Sequence, residues 1–450
     1  MRRLQPFPYK KVLVLGLAKS GTATAQLLLR NDVAFVVNDF NTKEDEPIVQ
    51  ELREKGVQVV LGAHPLSLLD DIDLIVKNPG IPYKNVLLAE AMERKIPIVT
   101  EIELAYLLAK DNPLIGITGS NGKTTTTTLV EQMLKASKQP VKLAGNIGFV
   151  ASEVAETLED NDAFLLELSS FQLMGTETFR PHIAALLNLF AAHLDYHDSR
   201  EEYDTAKKNV FIHQKESDFL VFNQDDERVV QVVQDAKAIL VPFSVKEPCL
   251  DGAYVLDESL YYKNEKIIDI KDIVLVGEHN IANILAAIAI SKLSHATNDG
   301  IRQVLTTFSG VEHRLQFVGK HAGRLFYNDS KATNILATEK ALQAFRRPTI
   351  LLAGGLRRGD DFDELIPYMN HVKAIVLFGE TKHELKETAE KVNIPHIHLV
   401  EDVTEATKVA FDISAEEDVI LLSPACASWD QYKTFEERGN MFIQTMHTLA

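Results

Sequence analysis

Short runs of β-branched and leucine residues recur along this chain. Each is followed by a turn rich in glycine, serine or asparagine and then by a segment with apolar residues at helical spacing. That alternation predicts an α/β protein with mainly parallel sheets, because a strand buried on both faces reads as a continuous apolar run and its crossover reads as a helix. In a first block, Lys11–Leu15 runs through Gly16-Leu17-Ala18-Lys19-Ser20-Gly21 into a helix over Thr22–Arg30. A second strand, Ala34–Val37, ends at Asp39, and the run Leu74–Val76 stops at Asn78-Pro79-Gly80-Ile81-Pro82. In a second block, an apolar run from Leu114 enters a glycine-rich turn that opens a helix near Thr124. A strand follows over Ile183–Leu189, alternation over Tyr254–Ile270 predicts a small antiparallel insertion, and Asn280–Leu293 reads as a long apolar helix. A third block has strands around Leu325–Tyr327, Thr349–Ala353, Ala374–Phe378 and Val419–Leu422. Three domains are expected, over residues 1–100, 101–310 and 311–450, each a mainly parallel sheet with flanking helices.

Composition narrows the function without naming it. With 46% hydrophobic and 25% charged residues the 450-residue chain is of globular type. A net charge of −17 argues against a nucleic-acid or anionic-membrane surface. Two cysteines, Cys249 and Cys426, are too few for a disulfide framework and suit a reducing compartment. No apolar run has the length of a signal or membrane segment, so a cytoplasmic protein is expected.

The turn Gly119-Ser120-Asn121-Gly122-Lys123-Thr124-Thr125 carries the strongest chemical signal. Glycines let successive N–H groups converge, the helix N-terminus adds positive potential, Lys123 can reach phosphate oxygens and the Thr124 hydroxyl can bind Mg²⁺. Five residues rather than four separate Gly116 from Gly122, a departure from the strict P-loop pattern. The first-block turn is more ambiguous. It has glycines at 16 and 21 and an acid about twenty residues on, yet Ala18 fills the middle glycine position, so a structural turn and a nucleotide site stand side by side.

Glu167, inside the apolar run Phe164–Leu168, must pair, protonate or bind a metal if it is buried, and is an ordinary alternation residue if it is not. The stretch from Asn188 to Asp198 gathers His193, Asp195, His197 and Asp198, and reads equally as a polar loop or as an Mg²⁺ or Mn²⁺ site. Tyr203–Lys208 looks like an amphipathic helix with solvated lysines. In Tyr327–Asn334, Lys331 can pair with a substrate carboxylate, and Thr333 can cap the next helix or bind the same group. Cys426, with no base placed for it, reads as a packing thiol.

These residues resemble the Mur ligases, the ATP-dependent amino-acid ligases that build the peptidoglycan stem peptide. The central loop, Gly145-Asn146-Ile147-Gly148, Glu278-His279-Asn280 and His313-Arg314 are similar to that family's motifs. Glu167–Leu173, Asp329–Asn334 and Ser423–Gly439 resemble the member that adds D-glutamate to UDP-N-acetylmuramoyl-L-alanine. The resemblance spans the whole chain. It implies a Rossmann-like N-terminal domain, a P-loop ATPase-like central domain and a Rossmann-like C-terminal domain. It also implies ATP and two Mg²⁺ ions as cofactors, small-molecule substrates, no nucleic-acid or membrane partner, and a monomer.

By the same resemblance, Lys19, Ser20, Asp39, Phe40, Asn78, Pro79, Gly80 and Asn146 would bind the UDP substrate. Gly119, Ser120, Asn121, Gly122, Lys123, Thr124, Thr125, Asn280, Arg314 and Asp329 would bind ATP. Thr124, Glu167, His193 and Lys207 would hold metal, with Lys207 carried as a carbamate, and Lys123, Glu167, His193 and Lys207 would be catalytic. Lys331, Thr333, Ser428, Phe435 and Arg358, which stands where relatives carry lysine, would bind D-glutamate. Competing readings are a Mur-type or folate-extending ligase with another acceptor, a simple NTPase, and an NAD-dependent oxidoreductase built on the first block. The last leaves the central loop unexplained.

Overall fold

The computed structural model of the chain describes residues 1–190, 197, 199–275 and 277–449, and only the backbone of Glu278 and His279. Three sheets follow one another along it. The first contains β1 (Lys11–Leu15), β2 (Ala34–Asp39), β3 (Gln58–Leu61), β4 (Leu74–Lys77) and β5 (Ile98–Val99) in the order β3-β2-β1-β4-β5. All of its pairings are parallel, and the order reverses at β1. Side chains 12 to 15 of β1 are wholly buried, as a central strand with helices on both faces requires.

Among the described residues the second sheet has nine strands. These are β6 (Leu114–Thr118), β7 (Val141–Gly145), β8 (Ala163–Glu167), β9 (Ile183–Leu186), β10 (Phe219–Asn223), β11 (Ile239–Ser244), β12 (Ala253–Leu256), β13 (Ser259–Tyr262) and β14 (Glu265–Asp269). Their order is β14-β13-β12-β11-β10-β9-β6-β8-β7, with β6 and β8 side by side so that the glycine-rich turn and Glu167 leave neighbouring strand ends. The alternating stretch near 254–270 is antiparallel as expected, but it extends the main sheet through β11 rather than standing apart. The predicted strand over Ile183–Leu189 stops at Leu186, and residues 187–190 form a loop over the phosphate turn.

The third sheet contains β15 (Gln316–His321), β16 (Arg324–Asn328), β17 (Thr349–Gly354), β18 (Val372–Phe378), β19 (His396–Leu399) and β20 (Val419–Leu422), in the order β15-β16-β20-β17-β18-β19. It is parallel except for the edge hairpin β15–β16.

Two compact units result. One comprises residues 1–271 with 281–304, and the other comprises 272–280 with 305–450. Within the first unit a single buried cluster runs from Leu4, Val12 and Leu28 through Ile102 and Leu108 to Ala151, Phe164, Phe179 and Phe211, joining the first two sheets. Burying each such side chain contributes about 1.5–3 kcal/mol. Polar contacts close the seam. The Arg30 Nε donates to Glu156 Oε1 (2.9 Å), Thr100 N–H to Gly175 O (2.8 Å) and Thr178 N–H to Glu103 Oε1 (2.9 Å).

Candidate active site

Beside the carboxyl ends of β1, β2 and β4 lies a cavity of 430 Å³, lined in part by Gly16, Asp39, Phe40, His64, Asn78 and Gly80. That is where an open parallel sheet with a strand-order reversal holds ligands. Gly21 is required here, because a Cβ on it would stand 1.7 Å from Gly16 O. Asp39 Oδ2 accepts from Leu17 N–H (2.7 Å), and Oδ1 accepts from Asn41 N–H (2.8 Å) and Thr42 N–H (2.7 Å). Burial alone would raise its pKa, but those amide donors outweigh it and hold the carboxyl below its ordinary value.

Ser20 and Asn78 meet across the turn, the Asn78 amide donating to Ser20 Oγ (3.1 Å), while Gly80 N–H donates to Asn78 Oδ1 (3.1 Å). Lys19 is exposed, and the exposed Phe40 ring lies 5.5 Å from the His64 ring. His64 Nδ1 is 2.5 Å from Asn38 Oδ1. The amide nitrogen of Asn38 donates to Val60 O and Ala63 O, so its oxygen must be the acceptor and His64 carries the proton on Nδ1. Beneath the Asn78–Pro79 corner, buried Lys77 donates from Nζ to Asn78 O (3.3 Å) and Pro79 O (3.1 Å), and its burial lowers its pKa to about 7.

In the central sheet, the turn after β6 opens the helix Lys123–Ala136. Gly122 sits at its start with φ +81°, and a Cβ there would come within 2.1 Å of Asn283 Oδ1. The N–H groups of Gly122 and Thr124 meet no acceptor among the described residues, as expected for the first turn of a helix. Asn188 fixes the turn from outside: its Oδ1 accepts from Asn121 N–H (2.8 Å) and its Nδ2 donates to Asn121 O (3.0 Å). The Tyr203 hydroxyl lies 2.9 Å from Ser120 Oγ. Lys123 Nζ folds back onto Gly119 O (2.8 Å) and Ser120 O (3.0 Å).

The helix Arg200–Lys208 departs from its solvated reading at one position. Lys207 is 1% exposed, with Nζ 2.9 Å from Gly119 O and 3.3 Å from Thr118 Oγ1, over the Tyr203 ring. Only Lys208 stays at the surface, paired with Asp235 (2.7 Å). Burial first, and then the charge of Lys123, push the Lys207 pKa well below its ordinary value. Glu167 is buried rather than an exposed alternation residue. Its Oε1 accepts from Asn146 Nδ2 (2.8 Å), and its Oε2 is buried with no hydrogen-bond partner among the described residues. An anionic oxygen left in that state fits a cation.

Among the described residues no group of three or more His, Cys, Asp and Glu is placed to hold a metal. His193, Asp195 and Asp198 lie outside the described residues, and the fourth member of their cluster, His197, is buried against Phe171 with Nε2 2.9 Å from Ser170 Oγ. An ammonium on Lys207 would repel a cation, whereas a carbamate there would supply an anionic ligand. The residues that could hold Mg²⁺ beside that ligand are Glu167, whose charge acts on Lys207, and the Thr124 hydroxyl.

In the second unit, Asp329 Oδ1 accepts from Leu315 N–H (3.0 Å) and Oδ2 from Ser423 Oγ (2.8 Å), tying the His313–Leu315 turn to the end of β20. Burial raises its pKa to about 7. Arg314 is half-buried at the same turn, and Asn280 is buried with its N–H on Gly277 O (2.9 Å). Lys331 Nζ lies 5.4 Å from the Phe435 ring centroid, and the Arg358 Cζ lies 4.8 Å from that of Trp429. Ser428 is buried nearby in sequence. Thr333 does not cap the following helix: Asn334 does, accepting from Ala337 N–H (2.9 Å) and leaving Thr333 half-buried. The buried Cys426 thiol, pushed up to about 11 by burial, packs beside Thr381. Asn188, Tyr203 and Lys77 escape the sequence reading; the buried stripe Tyr203, Ala206, Lys207, Val210 at helical spacing is the signal that marks Lys207 as inward.

Three α/β sheets, one with a Gly-Lys-Thr loop between a strand and a helix, define a nucleotide-phosphate-binding protein of multi-domain type. Family models place it further. Mur ligase MurD-like N-terminal domain matches residues 10–100, Mur ligase middle domain 117–291, and the Mur ligase glutamate ligase domain 313–426. The chain belongs to the Mur ligase family. It is 58% identical to UDP-N-acetylmuramoylalanine–D-glutamate ligase of Oceanobacillus iheyensis over 449 residues, covering 100% of both chains. It is 55% identical to the ligase of that name from Bacillus subtilis over 439 residues, 97% of each. Among solved structures, UDP-N-acetylmuramate–alanine ligase of Thermotoga maritima shares the fold, with TM-score 0.58 and 18% identity over 98% of this chain and 99% of that one.

Proposed function

We propose that this chain is an ATP-dependent ligase that joins D-glutamate to UDP-N-acetylmuramoyl-L-alanine in peptidoglycan precursor synthesis. Full-length likeness to relatives bearing that activity in their names supports the reading. The observation in the molecule that carries it is the convergence of Lys123 and Lys207 on the carbonyls of one glycine loop, with Glu167 on the paired strand β8 and its Oε2 without a hydrogen-bond partner among the described residues. A simple phosphate-binding turn needs no buried second lysine.

A carboxylate is a poor acyl donor. In this reading an oxygen of the alanyl carboxylate attacks the γ-phosphorus of ATP, the β–γ bridging oxygen leaves with ADP, and an acyl phosphate forms. The amides of the 119–124 loop and Lys123 hold the phosphates, with Ser120, Asn121, Thr124 and Thr125 in the same cradle. The deprotonated amine of D-glutamate then attacks the acyl carbon, and the tetrahedral intermediate expels inorganic phosphate with the C–O electron pair. Asn280, Arg314 and Asp329 belong to ATP binding.

Lys207 is suited to a carbamate. As a neutral amine it has two N–H groups for its two acceptors, Gly119 O and Thr118 Oγ1, and a lone pair left to add CO₂ with loss of a proton. Two Mg²⁺ ions, held by Thr124, Glu167, His193 and the Lys207 carbamate, would neutralise charge on the transferring phosphoryl group.

The UDP substrate takes the first cavity, with Lys19, Ser20, Asp39, Phe40, Asn78, Pro79 and Gly80, and reaches Asn146. Lys331, Thr333, Arg358, Ser428 and Phe435 take D-glutamate. A cytoplasmic location belongs to the same reading; separately, among the described residues no helix is long and apolar enough to cross a membrane.

The test is phosphate release with ATP, Mg²⁺ and UDP-N-acetylmuramoyl-L-alanine, adding D-glutamate, L-glutamate, L-lysine or nothing. Release that requires D-glutamate, with a product heavier by one glutamyl unit, is expected. Release with a different acceptor overturns the substrate, and release with neither substrate overturns the ligase.

A further inference from the structure

Two adjacent arginines follow the glycines at the end of β17, and they are used differently. Arg357 pairs through its guanidinium with Glu384 Oε1 (2.6 Å), and its N–H donates to Glu380 Oε2 (3.1 Å). Arg358 makes no ion pair among the described residues; its partner is the indole of Trp429, 4.8 Å from Cζ to the ring centroid. The backbone around this pair is fixed tightly. Leu356 N–H donates to Ala427 O (2.9 Å), Gly354 N–H to Pro424 O (2.9 Å), and a Cβ on Gly355 would stand 2.3 Å from Ala427 O. The segments bearing Arg358 and Trp429 are thus stitched together two residues before each side chain.

We propose that Trp429 is the positioning residue for Arg358: the indole face fixes the plane of the guanidinium so that its N–H edge is offered to the side-chain carboxylate of the acceptor amino acid. The inference rests on the acceptor site proposed above and adds to it a residue that does not itself touch the reacting atoms. The chemistry differs from that of a lysine. An ammonium is a point charge and needs no orientation, whereas a guanidinium binds a carboxylate bidentately only along its edge. An aromatic ring beneath the plane occupies the face and leaves the edge open. Glu384 and Glu380 cannot serve the same end, because they neutralise Arg357. Trp429 is 65% exposed, so its contribution is that of a solvated stack, about two- to fivefold in affinity.

The chain contains one tryptophan, which makes the proposal readable in two independent ways. Native protein, W429F, W429A, R358Q and the R358Q/W429A double variant are compared under saturating ATP, Mg²⁺ and UDP-N-acetylmuramoyl-L-alanine. W429A is expected to raise KM for D-glutamate about two- to fivefold, with the change in KM rather than kcat and with KM for ATP unmoved. W429F should recover most of the loss, and the double variant should be no worse than R358Q, since the indole acts only through the guanidinium. Titration with D-glutamate should alter the native indole emission and leave that of R358Q unchanged. A native KM in W429A, or the same increment with and without Arg358, overturns the proposal while leaving the ligase reading intact. Absence of D-glutamate-dependent turnover in the native protein overturns both.

Discussion

The turn after β1 and the turn after β6 share a ground plan: an apolar parallel strand, a glycine-rich corner, then a helix. Their amides find different internal partners: at the second, Ser120 N–H donates to Asn188 O (3.0 Å) and Asn121 N–H to Asn188 Oδ1 (2.8 Å), a neutral side chain, whereas the first uses a carboxylate. At the first, Gly16 N–H donates to Asn38 O (2.8 Å) and Leu17 N–H to the Asp39 carboxylate (2.7 Å), so a backbone carbonyl and an internal acid take these two donors. At the second, Gly122 and Thr124 N–H groups meet no described acceptor, while two lysines press on the carbonyls of Gly119 and Ser120. A glycine pattern therefore does not define a phosphate site. The two corners differ in the charge gathered at them: an internal carboxylate at the first, two lysine ammonium or amine groups at the second.

Lys207→Ala should break the contrast most severely. It removes the inward lysine of the second turn, and kcat should fall about 10²–10⁴-fold, the range for loss of a positioned catalytic group. Excess bicarbonate should not restore it; unchanged turnover would remove the carbamate from the mechanism. Next in size, Gly122→Ala places a Cβ within 2.1 Å of Asn283 Oδ1 at a φ of +81°. Strain of about 1–3 kcal/mol should weaken ATP binding roughly tenfold or more by calorimetry. Binding of the UDP substrate should change little, which separates the two turns.

Asp39→Asn sharpens the comparison from the other side. It weakens charge-assisted bonds to three amides, at a cost of about 1.5–3 kcal/mol, so the melting temperature should fall and KM for the UDP substrate should rise while the ATP dissociation constant holds. The smallest effect is a pH dependence beside the first turn. Lys77 has its pKa lowered from 10.5 to about 7, so between those values the unfolded chain binds the proton and the folded chain does not. Stability from this group is therefore least below about pH 7 and rises toward pH 10.5. Native protein should gain melting temperature on Lys77→Met from pH 7 to pH 9, and a constant gap would show that Lys77 does not titrate there.

Much of this was visible in the residues because certain signals are local. A Gly-Lys-Thr corner between strand and helix and a carboxylate inside an apolar strand each violate a pattern in a way that chemistry explains. Edge strands β15 and β19 were not visible, because half-exposed strands lack the apolar run that marks a central one. Nor was the work of Asn188, His64 or Trp429, whose partners lie 67, 26 and 71 positions away in the chain. Thr333 and Asn334 are both competent caps, and only the backbone shows which one turns toward the helix. Lys207 was legible only through the resemblance: its charge alone suggested water, while its place on the stripe with Tyr203 and Val210 pointed inward.

The buried cluster that runs from Leu4 to Phe211 without a break between the first two sheets has a consequence for how such enzymes can be re-engineered. The module built on the first sheet cannot be exchanged for another by cutting near residue 100, because the cut would pass through shared hydrophobic packing and through Thr100, whose N–H and hydroxyl are bonded to the neighbouring sheet's loop. Grafts that carry residues 1–304 together, and so both pieces of the first unit, should retain a cooperative melt, whereas chimaeras joined at 100 should expose the severed face and aggregate.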